Sequence, residues 1–203
     1  LFGLGQATGI ELPENTGHVA GPETSKTLGT TWNDGATLAA AIGQENNLFS
    51  PLQLANYIAT LVNGGNHWPA HLLRSVSSPS SQTVLRQEPE ALSTLSLKQE
   101  NLDAVKRGML EVSQSGSVAG YFRTLDVEVG AKTGSAQVSS ATTSNAVFVC
   151  FAPYDDPEIA MAIVVEKGGS GSELGAIAAD IISYYFTAKQ TLDSIPPEGV
   201  LLR

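Results

Sequence analysis

The sequence predicts a mixed α/β (α+β) domain, built as an antiparallel sheet with helices on both faces. Three observations lead there. Extended stretches over residues 127–138, 145–152 and 159–166 are separated only by a polar turn at 139–144 and a Pro/Asp turn at 153–158. Turns this short join antiparallel strands, because a parallel crossover needs a dozen residues or more. The second and third stretches are apolar at nearly every position, which predicts cover on both sheet faces. Helical patterns at about 50–63 and 173–186 supply that cover, one for each face.

The elements follow in chain order. Residues 1–35 are rich in Gly, Thr and Pro with little periodicity and read as loop, with a short extended piece at 9–13 stopped by Pro13. Residues 36–49 lead into the first clear helix. Ser50-Pro51-Leu52-Gln53 is a capping box, with Pro at the first helical position where its missing N–H costs nothing. Apolar residues from Leu52 to Val62 cover nearly the whole circumference, so this helix is buried on most sides. Gly64-Gly65 ends it. The Ser- and Pro-rich stretch 66–95 reads as an extended excursion or hairpin, with strand-like pieces at 72–76 and 83–85. Ser96-Leu97-Lys98-Gln99 reads as a second capping box. The helix after it sets Leu102, Val105, Met109 and Val112 on one face and charged residues on the other. The last helix offers Leu174, Ile177, Ala178, Ile181, Ile182 and Tyr185 as one face. Residues 1–186 form one unit and 187–203 a tail without a packing signal.

Composition narrows the function classes. A net charge of −9, with only 11 Lys and Arg, argues against a nucleic-acid partner, which needs a basic face. Apolar residues at 42% against 15% charged exclude disorder and allow a substantial core. The lone Cys150 lies in an apolar run and reads as a small buried hydrophobe. No apolar run is long enough for a transmembrane helix. The start at Leu1-Phe2-Gly3-Leu4-Gly5, without Met, reads as a start inside a fold.

Several motifs fall short of a site. His67 and His71 have i, i+4 spacing, but Pro69 between them opposes a helix and no third ligand follows, so no metal is expected. Gly168–Gly175 follows a strand and opens a helix, yet its glycine spacing does not fit a dinucleotide fingerprint, and it reads as a flexible connection. Gly130-Ala131-Lys132-Thr133 lacks the glycines of a phosphate loop, and no Gly-x-Ser-x-Gly elbow occurs. No cofactor is implied.

The stretch Ala131-Lys132-Thr133-Gly134-Ser135-Ala136-Gln137 is different. On a strand, Thr133 and Ser135 project to one face and Lys132 to the other or across the edge. Two hydroxyls can grip a carboxylate, and an ammonium nearby adds positive potential. Gly134 removes a side chain where another backbone can come close. An extended peptide could then pair with the strand. The alternative is a charged edge strand with ordinary Thr and Ser.

With these pieces in order, the chain resembles the C-terminal part of the transpeptidase domain of class B penicillin-binding proteins, of the penicillin-binding protein 2 type that serves elongation or sporulation. The residues that carry the likeness are Phe2-Gly3-Leu4-Gly5, Thr8–Pro13, Ala41-Ile42-Gly43-Gln44, Ser50–Ala55, Ala131–Gln137, Phe151-Ala152-Pro153 and Val165–Gly171. That family uses Ser-x-x-Lys, Ser-x-Asn and Lys-Thr/Ser-Gly. Only the third motif is here. No Ser stands three residues before Lys26, Lys98, Lys106, Lys132, Lys167 or Lys189, and no Ser-x-Asn occurs.

The resemblance implies a serine β-lactamase/transpeptidase-like fold, of which this chain is the C-terminal portion. It implies a companion N-terminal chain or fragment with the two missing motifs, and D-Ala-D-Ala stem peptides and β-lactams as ligands. It places the site at the extracytoplasmic face of a bacterial membrane, on an anchor outside this chain. Lys132 would tune the field and proton relay around the absent Ser. Thr133 and Ser135 would hold the terminal carboxylate, the Ser135 N–H would form half of an oxyanion hole, and Gly134, Ala136 and Gln137 would border the substrate. This chain alone is expected to be inactive. Two alternatives stand beside this reading. One is a relative that senses or hydrolyses β-lactams. The other is a non-catalytic module that binds D-Ala-terminated peptide or a protein partner.

Overall fold

A computed structural model describes residues 2–80, 83–86, 88–138 and 142–194. In chain order these form α1 (Pro22–Leu28), α2 (Asp34–Ala41), α3 (Pro51–Val62), β1 (Asn66–His67), β2 (Ser75–Ser77), β3 (Thr83–Arg86), β4 (Ser93–Thr94), α4 (Gln99–Gln114), α5 (Ala119–Phe122), β5 (Gly130–Ala136), β6 (Asn145–Ala152) and β7 (Ile159–Val165). A 3₁₀ turn, Gly171–Leu174, then leads into α6 (Gly175–Ser194). The main sheet is antiparallel in the order β5-β6-β7.

The central strand β6 explains the two-sided cover. Its alternating residues Ala146, Phe148, Cys150 and Ala152 are fully buried in one core with Val118 and Ile182, brought by the α5 and α6 side of the sheet. Val149 and Phe151 point the opposite way, into a second core with Ile58 and Leu61 of α3 and Leu102 and Met109 of α4. Period-two alternation thus feeds two cores, which is why the strand is apolar at nearly every position. Cys150 packs as a small hydrophobe, its thiol pushed up to about 12 by burial.

The predicted cap of α3 is present in full. Ser50 Oγ accepts from the Gln53 N–H, and Gln53 Oε1 accepts from the Ser50 N–H. Residues Leu52 to Val62 are all buried or half-buried. Gln53 does more than cap. Its buried amide donates to the carbonyls of Gln6 at 2.6 Å and Thr16 at 2.8 Å, pinning the N-terminal segment over the start of α3. Glu14 adds to that frame by accepting from the Thr8 N–H and hydroxyl and the Gly9 N–H, and these bonds, the Thr8 N–H first, hold its carboxyl below the usual range.

Four expectations change. The second capping box is absent: Lys98 is the N-cap of α4 and makes no side-chain cap. The Leu97 side chain packs on the second core and its N–H closes a tight turn on the Leu95 carbonyl, so the helix starts later. Within residues 1–49, read as loop and lead-in, α1 and α2 form instead. Their signals are local rather than periodic: Pro22 at the first turn, Gly29 at φ 70° closing α1, and the Asn33 side chain capping Ala36. Each buries only one residue, so no apolar face marked them. The hairpin of 66–95 pairs β2 with β3, but Leu72 and Leu73 fall outside the strand because Glu11 takes their N–H groups. Leu174 is buried but ends the 3₁₀ turn, while helix α6 buries Ala178 and Ile182, leaves Ile177 and Ile181 exposed, and runs on to Ser194. Lys189 there pairs with Glu158. Residues 139–141 of the polar turn, and 195–203 of the tail, lie outside the described residues.

Gln53→Leu is expected to keep helix α3 but destabilise the fold by about 1–3 kcal/mol, since two carbonyls and a cap lose their partner. Thermal unfolding of the variant against wild type checks this.

Candidate substrate-docking strand

Strand β5 has a neighbour on one side only within the described sheet. Its register with β6 sets where each peptide group points. Gly134 pairs with Val147, and a Cβ added at Gly171 would lie 2.2 Å from the Val147 carbonyl oxygen and 2.3 Å from that of Gly134. Both oxygens therefore lie on the seam between the strands. Antiparallel strands alternate this direction residue by residue. The N–H and C=O groups of Ala131, Thr133 and Ser135 accordingly point away from β6, along the opposite edge.

The side chains alternate as well. Thr133 and Ser135 share a face with Phe148 and Ala146, their partners in register, and Lys132 shares the other face with Val149. Thr133 is half-buried and Ser135 exposed. Neither hydroxyl is bonded to another described residue. The Lys132 stem lines an apolar cleft of about 410 Å³ between α3 and α4, with Tyr57, Ile58, Leu61, Val105 and Met109. Its ammonium turns to the edge and donates to the Thr133 carbonyl. The sequence left Lys132 between the opposite face and the edge; its stem takes the first and its charge the second.

Gly134 meets its close neighbour from an unexpected side. A Cβ at Gly134 would only touch Val147, at 3.6 Å. The crowded residue is Gly171, whose absent Cβ would overlap the backbone of Val147 and Gly134. The 168–175 connection is thus a tight backbone-on-backbone contact that holds the 3₁₀ turn against the sheet, and its glycine is steric rather than flexible.

At the far end of β5, Ala136 pairs with Asn145, and Ala136 and Gln137 line a second cleft of about 340 Å³ with His18 and residues 43–48. From that loop Gln44 Nε2 donates to the Ser135 carbonyl at 3.3 Å. Sequence reasoning gave Gln44 no role, because a bond across 91 positions leaves no local signal.

His67 and His71 are not brought to this strand. His71 sits at the surface with Nδ1 3.2 Å from the Leu73 carbonyl. His67 is buried beneath Gly3, where a Cβ would fall 2.4 Å from its Nε2, and that nitrogen lies 3.3 Å from the Asn56 amide. Burial pushes the imidazole below its ordinary 6.5.

The comparisons with known proteins agree with this architecture. The family model described as the penicillin binding protein transpeptidase domain matches residues 1–183. The chain belongs to that family. It is 33% identical to the peptidoglycan D,D-transpeptidase MrdA of Acinetobacter baumannii over 93% of this chain and 30% of that protein. It is 31% identical to penicillin-binding protein 2A of Bacillus subtilis over 95% of this chain and 28% of that protein. Among solved structures, penicillin-binding protein 2 of Helicobacter pylori superposes with a TM-score of 0.76 at 29% identity, over 92% of this chain and 34% of that one. The chain thus spans about a third of the length of the relatives it matches. The resemblance drawn from the motifs and the β-lactamase/transpeptidase-like fold it implied both hold.

Two predictions follow from the strand and its neighbours. Gly171→Ala is expected to destabilise by about 1–3 kcal/mol, because backbone cannot yield to the new methyl, whereas Gly134→Ala costs much less. Thermal melts of the pair test this, and a larger loss at Gly134 would contradict the packing. Neutral His67 contributes stability that is complete above its unfolded value near 6.5 and is lost as pH falls below it toward the lower folded value. Denaturant midpoints measured between about pH 7.5 and about pH 5 should therefore fall more in wild type than in His67→Gln.

Proposed function

We propose that this chain is the substrate-docking half of a D,D-transpeptidase that cross-links peptidoglycan and is acylated by β-lactams. The observation that carries the reading is strand β5. Among the described residues it presents an edge with no strand paired to it, outward N–H and C=O groups at Thr133 and Ser135, two hydroxyls without a partner, and an ammonium at the rim of an apolar cleft.

The roles are those the family resemblance implies, and the outward groups of the strand support them. Thr133 and Ser135 hold the terminal carboxylate of a D-Ala-D-Ala stem through their hydroxyls. The outward Ser135 N–H faces the scissile carbonyl and donates to the oxyanion that forms there. Lys132 leaves the Thr133 carbonyl and adds positive potential between nucleophile and carboxylate. Gly134, Ala136 and Gln137 form the floor and far end of the peptide path.

The nucleophilic Ser, its Lys base and the Ser-x-Asn motif come from a part of the protein, or a companion chain, outside these 203 residues. The exposed apolar surfaces suit such a part: Val105 and the cleft between α3 and α4, and Ile177, Ile181 and Tyr184 along α6. Surfaces of this kind mark interfaces.

The reaction is a double displacement. The Ser oxygen bonds to the penultimate D-Ala carbonyl, and the peptide C–N bond breaks. The terminal D-Ala leaves, its nitrogen taking the proton the Ser gave up. An amine of a neighbouring stem then attacks the ester, and the Ser oxygen recovers a proton. The chemistry belongs at the extracytoplasmic face of the cell membrane, where such stems are cross-linked. Among the described residues no helix is long and apolar enough to cross a membrane.

The test is mass spectrometry of the full-length protein after exposure to a penicillin. A stable adduct is expected on a serine outside this chain, and Lys132→Met is expected to slow its formation by about a hundredfold or more. No adduct on folded protein, or an adduct on a residue of this chain, would overturn the reading. Rapid release of hydrolysed drug would favour a β-lactamase-like relative.

A further inference from the structure

The loop after α2 is built to hold one side chain over the edge of β5. Gly43 takes φ 80° and Glu45, which is not glycine, takes φ 63°. Between them the backbone of Gln44 is pinned at both ends. Its N–H donates to the Ala39 carbonyl at 3.0 Å, and its carbonyl accepts from Asn47 Nδ2 at 3.0 Å. Asn47 is itself tied across the chain, its Oδ1 accepting from the Ala20 N–H at 2.9 Å. Leu48 then exchanges two backbone bonds with His18. A non-glycine residue at positive φ is costly and persists where its surroundings require it. Here the surroundings fix the position from which the Gln44 amide reaches the Ser135 carbonyl.

That carbonyl has a particular place in the docking scheme. The N–H and C=O of one residue in an extended strand point the same way. A ligand whose scissile carbonyl sits on the Ser135 N–H therefore brings the amide N–H of that same residue opposite the Ser135 C=O, as one antiparallel pair. Gln44 Nε2 stands in for that ligand N–H. The next outward carbonyl along the edge, that of Thr133, is occupied by the Lys132 ammonium. Two acceptors an incoming peptide would use are thus held by side chains of this chain, one from the α2 loop and one from the strand itself.

We infer that Gln44 is a specificity-determining guard. It caps the Ser135 carbonyl when no ligand is present and must be displaced by the amide N–H of the penultimate residue of the stem, or by the acylamino N–H of a penicillin. This rests on the reading of β5 as a docking strand. The guard has two physical consequences. It satisfies an edge acceptor that would otherwise invite pairing with a foreign strand. It also competes only with ligands that bring an N–H to the carbonyl, because a ligand without that N–H leaves Gln44 on its acceptor, so removing the Gln44 amide helps the first kind and not the second.

The experiment compares full-length wild type with Gln44→Ala and Gln44→Glu. Second-order acylation rate constants are measured with benzylpenicillin, which carries the acylamino N–H, and with a carbapenem, which carries a hydroxyethyl group in its place. Neither variant can donate, and Glu keeps the size of Gln, so a loss of fold or of bulk in one is controlled by the other. The ratio of penicillin to carbapenem rate constants is expected to rise about three- to tenfold in both variants, the worth of one competing hydrogen bond. A ratio unchanged or lowered in both, with wild type acylated normally, overturns the guard and leaves the docking strand standing. Wild type that neither drug acylates overturns the docking reading, and the guard with it.

Discussion

The arrangement depends on one constraint, the register between β5 and β6. Opposing Gly134 to Val147 sends every second peptide group of β5 into the sheet and every other one outward. A slip of one residue would turn the Thr133 and Ser135 groups into the sheet, move their hydroxyls to the α3 side, and place Lys132 on the α6 side. The polar residues of the strand, Lys132, Thr133 and Ser135, do not prevent such a slip, and only Ala131 among its seven residues is buried in a core. The apolar residues of its partner prevent it. Phe148 and Cys150 must enter one core and Phe151 the other, and each is at most 1% exposed.

Gly171 reinforces the same register from above. Its backbone rests on the seam at the point where Gly134 and Val147 meet, with no room for a methyl group. The 3₁₀ turn can seat there only if two carbonyl oxygens of adjacent strands are in step. Leu174, at the end of that turn, then enters the core shared with Phe148. Core packing, the seam and the outward edge are therefore one cooperative unit, and a change at Gly171 is felt at Ser135 without touching it.

How much of this was legible follows from the range of each interaction. The three main strands, the Ser50 cap and the two-sided cover came from periodicity and short turns, signals that lie within a dozen residues. The Lys-Thr-Gly strand was readable because its chemistry is contiguous. Helices α1 and α2 were not, since they bury one residue each and so impose no pattern. The false cap at Ser96 shows the converse. A correct local motif yields when Leu97 is drawn to the core beside it. Gln53 was legible as a cap but not as the anchor of Gln6 and Thr16, and Gln44 only as part of a segment that carries the family likeness, not as a partner of Ser135. Both reach partners tens of positions away, and only the folded chain brings the ends together.

The same reasoning separates what this chain can do from what it prepares. On the proposed reading, a strand with one edge unpaired among the described residues, two hydroxyls without a described partner and a cation would bind an extended anion-tipped peptide, but it holds no group poised to attack a carbonyl. Lys132 illustrates the difference. In this structure its charge rests on the Thr133 carbonyl, an acceptor a short side-chain swing away from the cleft its own stem lines. A serine brought into that cleft by the rest of the protein would offer the ammonium a better partner than a neutral carbonyl, since charge-assisted bonds are about twice as strong. Assembly would then free the Thr133 edge for the substrate as it supplies the nucleophile, so that docking and chemistry become available together.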